Sequence, residues 1–228
     1  MQNLSSPDYA AISAISQKNA SMTRTLLACG VLAGPLYVAA GLIQKVIRPA
    51  FDITRHSLSL LSNGDLGWIQ ITNFLVSVLL VIAGAVGMRR LLRGSRGGTW
   101  GPLLLGLYGL GLIGAGIFIA DPMDGFPPGT PAGTPDAMSW HGLLHFITGS
   151  VAFLSLIAAC FVFARRFAAL GQRGWAAYSV ATGVLFFAAF FGIASGSGGA
   201  AINVAFAVAV VLGWAWISAV MARLRKEN

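Results

Sequence analysis

Two of the chain's three histidines stand four residues apart in the stretch Ser139-Trp140-His141-Gly142-Leu143-Leu144-His145-Phe146. Four residues is just over one helical turn, so on a helix both imidazoles project from one face. The third histidine, His56, follows an earlier apolar run, and Asp121 and Asp124 open the proline-rich stretch that leads to His141. Three imidazoles and a carboxylate are the donor set of a catalytic zinc site with one position left for water. Zinc there would bring the pKa of that water toward ~7 and create a nucleophile at neutral pH. One expectation is therefore a metal set of His56, His141 and His145, with Asp121 or Asp124 as base or orienting partner. The other is that the same imidazoles hydrogen-bond loop carbonyls and act as a gate or a proton-responsive cluster. His-x-x-x-His alone lacks the glutamate base of His-Glu-x-x-His and does not choose between them. Haem is not expected, since only one apolar run carries histidines and a spanning haem needs them on two.

The elements that must hold these residues are set by composition. Hydrophobic residues make up 56% of the 228 and charged residues only 10%, against roughly 25% charged in a soluble domain. Apolar runs long enough to cross ~30 Å of hydrocarbon occur at about 25–46, 67–88, 101–120, 141–164, 174–195 and 200–222. The reading is an all-α, polytopic membrane protein, a compact bundle of six transmembrane helices.

Charge distribution orients it. Arg89, Arg90, Arg93 and Arg96 fill the second connection, Arg165, Arg166 and Arg173 the fourth, and Arg223, Arg225 and Lys226 the C-terminus, with Lys18 and Arg24 before the first run. Five of the seven acids, Asp52, Asp65, Asp121, Asp124 and Asp136, lie in the opposite connections. By the positive-inside rule the arginine side and both termini are cytoplasmic, and the histidines and aspartates face outward across the cytoplasmic membrane. The net charge of +8 thus marks topology, and no nucleic-acid partner is expected.

Residues 1–22 are polar and Ser/Ala-rich, without the apolar core of a signal peptide; they read as a disordered cytoplasmic tail before a single domain over 23–228, with Met22 an alternative start. Cys29 and Cys160 fall inside spans and read as small core residues without a disulfide. Gly30-x-x-x-Gly34, Gly192-x-x-x-Gly196 and the glycines of the third run let backbones approach closely, within the monomer or in a homodimer. Pro35 should kink the first span.

Asn73, Thr148, Ser195 and Asn203 share the outer level with the histidines. Polar groups at one depth in a bilayer point to a polar vestibule. In the first outer connection His56, Ser59, Ser62 and Asn63 oppose Leu58, Leu60 and Leu61 at helical spacing, with Asn63-Gly64 as a stop. This predicts a short helix, either a lid or interfacial anchor with its leucines in lipid, or a segment that delivers His56 over the bundle mouth to meet His141 and His145. The second outer connection holds five of the nine prolines, which stiffen a non-helical loop. No Gly-x-Ser-x-Gly elbow, phosphate loop or dinucleotide fingerprint is present.

The runs "RHSLSLLSNGDLGWIQITNF", "GIFIADPMDGFPPGTP" and "HGLLH", in that order, resemble the bacterial and archaeal family known as domain of unknown function 998, over roughly residues 25–222. That resemblance implies a polytopic membrane protein and no particular activity. The order His56, then Asp65 or Asp121, then His141 with His145 is also similar to the zinc-dependent membrane hydrolases that include alkaline ceramidases and adiponectin receptors. The chain departs from them in having six spans instead of seven, Asp52 where a serine is expected four residues before His56, and an outward site. Two functions follow as expectations. One is a zinc-dependent hydrolase of a lipid-like amide or ester; the other is a non-enzymatic binder or sensor of a lipid or small molecule, with a hydrogen-bonded histidine gate.

Overall fold

The computed structural model describes residues 7–196 and 199–227, with side chains from residue 14 onward. Six helices follow in order: α1 (Pro7–Ile47), α2 (Gly67–Leu91), α3 (Trp100–Ile117), α4 (Trp140–Ala169), α5 (Arg173–Ala194) and α6 (Ala200–Glu227). Each is long and apolar enough to cross a membrane. A five-residue 3₁₀ turn, Leu58–Ser62, lies between α1 and α2.

Each helix packs on its neighbours in sequence, and α6 returns to pack on α1, so the six close into a ring. Leu32, Leu79, Leu110, Leu154, Phe191 and Val208 stay exposed on the outside. Such a surface is stable only against lipid, which also requires the backbone hydrogen bonds to be satisfied inside each helix. Trp68, Trp100 and Trp140 are exposed as well and stand at the starts of α2, α3 and α4, at the two rims where indole rings favour the membrane interface.

Close approach explains the small residues. A Cβ on Gly30 would sit 2.8 Å from the Met221 side chain and 3.2 Å from the Gly84 backbone, and one on Gly34 would sit 2.6 Å from the Trp214 carbonyl. The Gly30/Gly34 face is therefore spent inside the monomer, against α2 and α6. Helix α1 runs unbroken through Pro35; beside it the Gly34 N–H donates to Ser218 on α6 at 3.2 Å. Both cysteines are free thiols.

The N-terminal segment differs from expectation. Residues 1–6 lie outside the described residues, but α1 begins at Pro7, so most of the stretch read as a disordered tail is helix. The transmembrane part of α1 supplies the nucleus, and an Ala/Ser-rich extension adds one hydrogen bond per residue to it. Arg90 on α2 donates to Asn19 at 3.1 Å and holds the extension against the bundle.

The two ends of the bundle are built differently. At the arginine end, Arg89 donates to the Gly98 carbonyl at 3.0 Å, and Arg166 to Ser95 and to the Arg96 carbonyl at 3.0 and 2.8 Å. The other end carries the long connections 48–66 and 118–139 and all three histidines.

Candidate functional site: a capped cavity at the histidine end

The two long connections fold onto each other as a cap. Its hub is Phe126, fully buried, with Phe51 edge-on at 5.4 Å and the His56 ring at 5.4 Å. Arg48, only 7% exposed, lies over the Phe126 ring at 5.1 Å. Its guanidinium donates to the Leu61 carbonyl at 2.9 Å and to the Asn63 carbonyl. Burial pushes this guanidinium below the ordinary arginine value, a drop that nearby Asp65 partly offsets. The charge is held by carbonyl dipoles and a ring quadrupole, which suits a planar cation with several donors. Asn63 then reaches across to the Ala120 carbonyl at 3.0 Å.

The turn within the first connection has the predicted stop. Gly64 has φ +72° directly after the 3₁₀ turn, a backbone shape that glycine adopts without penalty. The leucines depart from the anchor reading: Leu60 and Leu61 are buried within the cap, beside Phe51 and Phe126. They turn inward because the cap needs an apolar centre of its own.

Each candidate residue has a defined setting. His56 is 2% exposed. Its Nδ1 accepts the Asp52 N–H at 2.9 Å, and its Nε2–H donates to the Asp124 carbonyl at 3.1 Å. Both ring nitrogens are thus used in a neutral imidazole that ties the first connection to the second. His145 on α4 donates from Nδ1 to the Ala115 and Phe118 carbonyls, at 2.9 and 2.8 Å. Those carbonyls belong to the end of α3, where acceptors lack intrahelical donors. The Nε2 of His145 is left as the ring's one acceptor. His141 packs instead against Trp140, with ring centroids 3.7 Å apart, and near Phe118, and its buried Nδ1 has no protein partner.

The carboxylates also serve the cap. Asp121 accepts from the Ser139 N–H at 2.8 Å and from the Ser139 hydroxyl. Ser139 Oγ in turn accepts the Gly142 N–H at 3.0 Å and caps α4. A Cβ at Gly142 would lie 2.2 Å from the Asp121 carboxylate, so the glycine is what lets this charge sit on the helix N-terminus, where the dipole favours it. Asp124 has φ +55° and lies 3.7 Å from Arg55. On the rim, Thr54 donates to Asp52 from both its N–H and its hydroxyl, holding that carboxyl below the usual carboxylate value. Among the described residues no group of three or more His, Cys, Asp or Glu side chains is placed to hold a metal ion. The three histidines are therefore not brought into one ligand set: His56 faces Asp124, His141 faces Trp140, and His145 faces the end of α3.

Beneath the cap lies a cavity of about 350 Å³, with all six helices contributing to its wall. Arg55, Ser57, Ser59, Asp121, His145 and Asn203 form its polar rim. Asn203 of α6 donates to the Thr54 carbonyl at 3.1 Å, so the cap is fastened to the last helix too. Deeper, the wall becomes aromatic: Tyr37 stacks on Trp214 with centroids 4.4 Å apart, and Tyr108 meets Trp214 edge-on at 5.6 Å. Behind Tyr37 a buried amide ladder joins α1 to α2. Gln44 donates to Gln70 at 2.6 Å, and Asn73 donates to both Gln70 and the Tyr37 carbonyl at 3.2 Å. Asn73 thus belongs to a helix contact, not to the vestibule, and Thr148 bonds the Leu144 carbonyl of its own helix at 2.7 Å.

Sequence reasoning passed over Arg48, Arg55 and the aromatic floor. A signal existed for the first two: with Lys45 they are basic residues at the acidic end, against the charge bias that sets topology. The floor had none, because Tyr37, Tyr108 and Trp214 sit in runs that read as ordinary apolar span.

A closed ring of six helices, each long enough to span, with a capped intramembrane cavity defines a multi-pass helical membrane protein. The chain belongs to the family described as protein of unknown function (DUF998), whose model matches residues 31–223. No curated protein and no solved structure matches this chain, so the likeness to ceramidases and adiponectin receptors has no support.

Proposed function

We propose that the protein is a non-enzymatic membrane binder or sensor, which holds a lipid-like small molecule in the capped cavity. The observation that carries this reading is the cavity itself. Its volume of about 350 Å³ lies within the range of sites that enclose drug-sized ligands, roughly 300–1,000 Å³, and its pattern of apolar wall with a few polar groups at one end is typical of them. The histidines support the same reading. His56 and His145 hold the cap and the α3 terminus through backbone carbonyls, the role of a hydrogen-bonded gate. With the arginine end cytoplasmic, as the positive-inside rule assigns it, the capped mouth faces outward across the cytoplasmic membrane.

The test is native mass spectrometry of the protein purified in mild detergent. Wild type should carry a small amphiphile at near-stoichiometric occupancy. Gly149 lines the cavity, and a Cβ there meets nothing within 4 Å, so Gly149→Leu should fill the space and strip the adduct while the protein remains folded. An adduct-free wild type that also fails to take up any amphiphile would overturn the proposal. So would stoichiometric zinc in the wild type that is lost in His141→Ala and His145→Ala, which would restore the hydrolase reading.

A further inference from the structure

We infer that the ligand is a flat, ring-bearing amphiphile with an acceptor oxygen at its deep end, such as a quinone or a fused-ring ketone, and not a plain acyl chain. The inference rests on the binding reading above and names its ligand class.

Two independent observations carry it. The first is the wall. Tyr37, Phe74, Tyr108, Phe153, Phe206 and Trp214 all line the cavity. Phe153 meets Phe206 edge-on at 5.6 Å and Phe190 edge-on at 5.3 Å, which adds a second aromatic group to the Tyr37–Trp214 stack. A flexible chain gains from any apolar wall in proportion to buried area. Aromatic faces and edges add a directional gain that only another ring can collect, through offset or edge-to-face packing.

The second observation is the Tyr108 hydroxyl. Tyr108 is 2% exposed and lines the cavity, and among the described residues its hydroxyl makes no hydrogen bond. This hydroxyl lies nine residues below the end of α3, about 14 Å along the axis, in an apolar wall where a polar group gains from a partner. A carbonyl or ether oxygen on the ligand would complete it.

The polar rim completes the orientation. His145 spends its Nδ1–H on α3 carbonyls, and its Nε2 is an acceptor at the mouth. Ala115, one of its partners, stands seven residues above Tyr108 on α3, about 10 Å. A ring system whose oxygen meets Tyr108 therefore lies along the aromatic wall and presents its other end to the rim.

The experiment is calorimetric titration of the full-length protein in a maltoside detergent with two probes, 2-methyl-1,4-naphthoquinone and hexadecanol. The naphthoquinone should bind at least tenfold more tightly. Tyr108→Phe, which keeps the ring and the packing, should weaken the quinone at least fivefold and leave hexadecanol unchanged. Phe153→Leu should weaken the quinone selectively, and Gly149→Leu should abolish both. Hexadecanol binding as tightly as the quinone, or a quinone affinity indifferent to Tyr108→Phe, would sink the ring inference and leave the binding reading standing. Binding of neither probe by wild type, with no amphiphile carried through purification, would end both.

Discussion

Arg48 shows how one side chain can organise a cap. Its guanidinium serves two buried carbonyls, Leu61 and Asn63, and covers Phe126. Arg48→Met should lower stability by about 2–6 kcal/mol, since each of the two abandoned acceptors costs roughly 1–3 kcal/mol. Arg48→Lys should recover only a fraction, because a single ammonium cannot fork to two carbonyls. Thermal unfolding in detergent measures both, and a Met variant as stable as wild type would contradict this account. His145→Ala frees two carbonyls at the end of α3 and should destabilise by about 1–3 kcal/mol, without changing metal content by elemental analysis. The Asp52 turn gives a pH signature of known sign. Its two bonds from Thr54 lower the folded carboxyl value, so their contribution is present above the unfolded value and lost as pH falls through the folded one. The stability gap between wild type and Thr54→Val should be full at pH ~6 and shrink toward pH ~3.

At the scale of elements, two glycines of similar appearance should behave oppositely. Gly34 meets the Trp214 carbonyl and the Ser218 hydroxyl at distances that leave no room for a Cβ, while Gly106 on α3 has nothing within 4 Å. Gly34→Val should pry α6 from α1 and destabilise by about 2 kcal/mol or more, as overpacking does. Gly106→Ala should be neutral or stabilising by up to about 1 kcal/mol through helix propensity. Chemical unfolding of the two variants side by side separates the cases. All six spans were legible because apolar length is a local property of the chain, and the stop at Gly64 was legible because turn chemistry is local too. The fate of the first outer turn was not. Leu58, Leu60 and Leu61 carry the same amphipathic signal whether they face lipid or Phe126, and only the partner connection, sixty residues away, turns Leu60 and Leu61 inward.

For the whole molecule, the arrangement of charge predicts the sidedness of the bundle. Single cysteines placed near Arg93 and Arg173 should be shielded from impermeant thiol reagents in intact cells, and one near Thr130 should be labelled. Labelling at both ends would remove the outward mouth, though not the cavity. By itself the sequence determined the class: 56% hydrophobic residues in six long runs leave no alternative to a helical membrane bundle, because an unpaired backbone in hydrocarbon is prohibitively costly. It also determined which end holds the histidines, since chain order and an up-and-down path suffice for that. The tertiary structure alone decided what those histidines touch. Donor types and spacing allow His56, His141 and His145 to converge or to part, and the choice depends on helix rotation and on how two loops meet. In this protein the loops meet through Phe126 and Arg48, which draw His56 to Asp124, while α3 ends where its free carbonyls can claim His145. The closure of α6 on α1 gathered Tyr37, Tyr108 and Trp214, aromatic residues scattered over 177 positions of sequence, into one floor, a juxtaposition that no local pattern encodes.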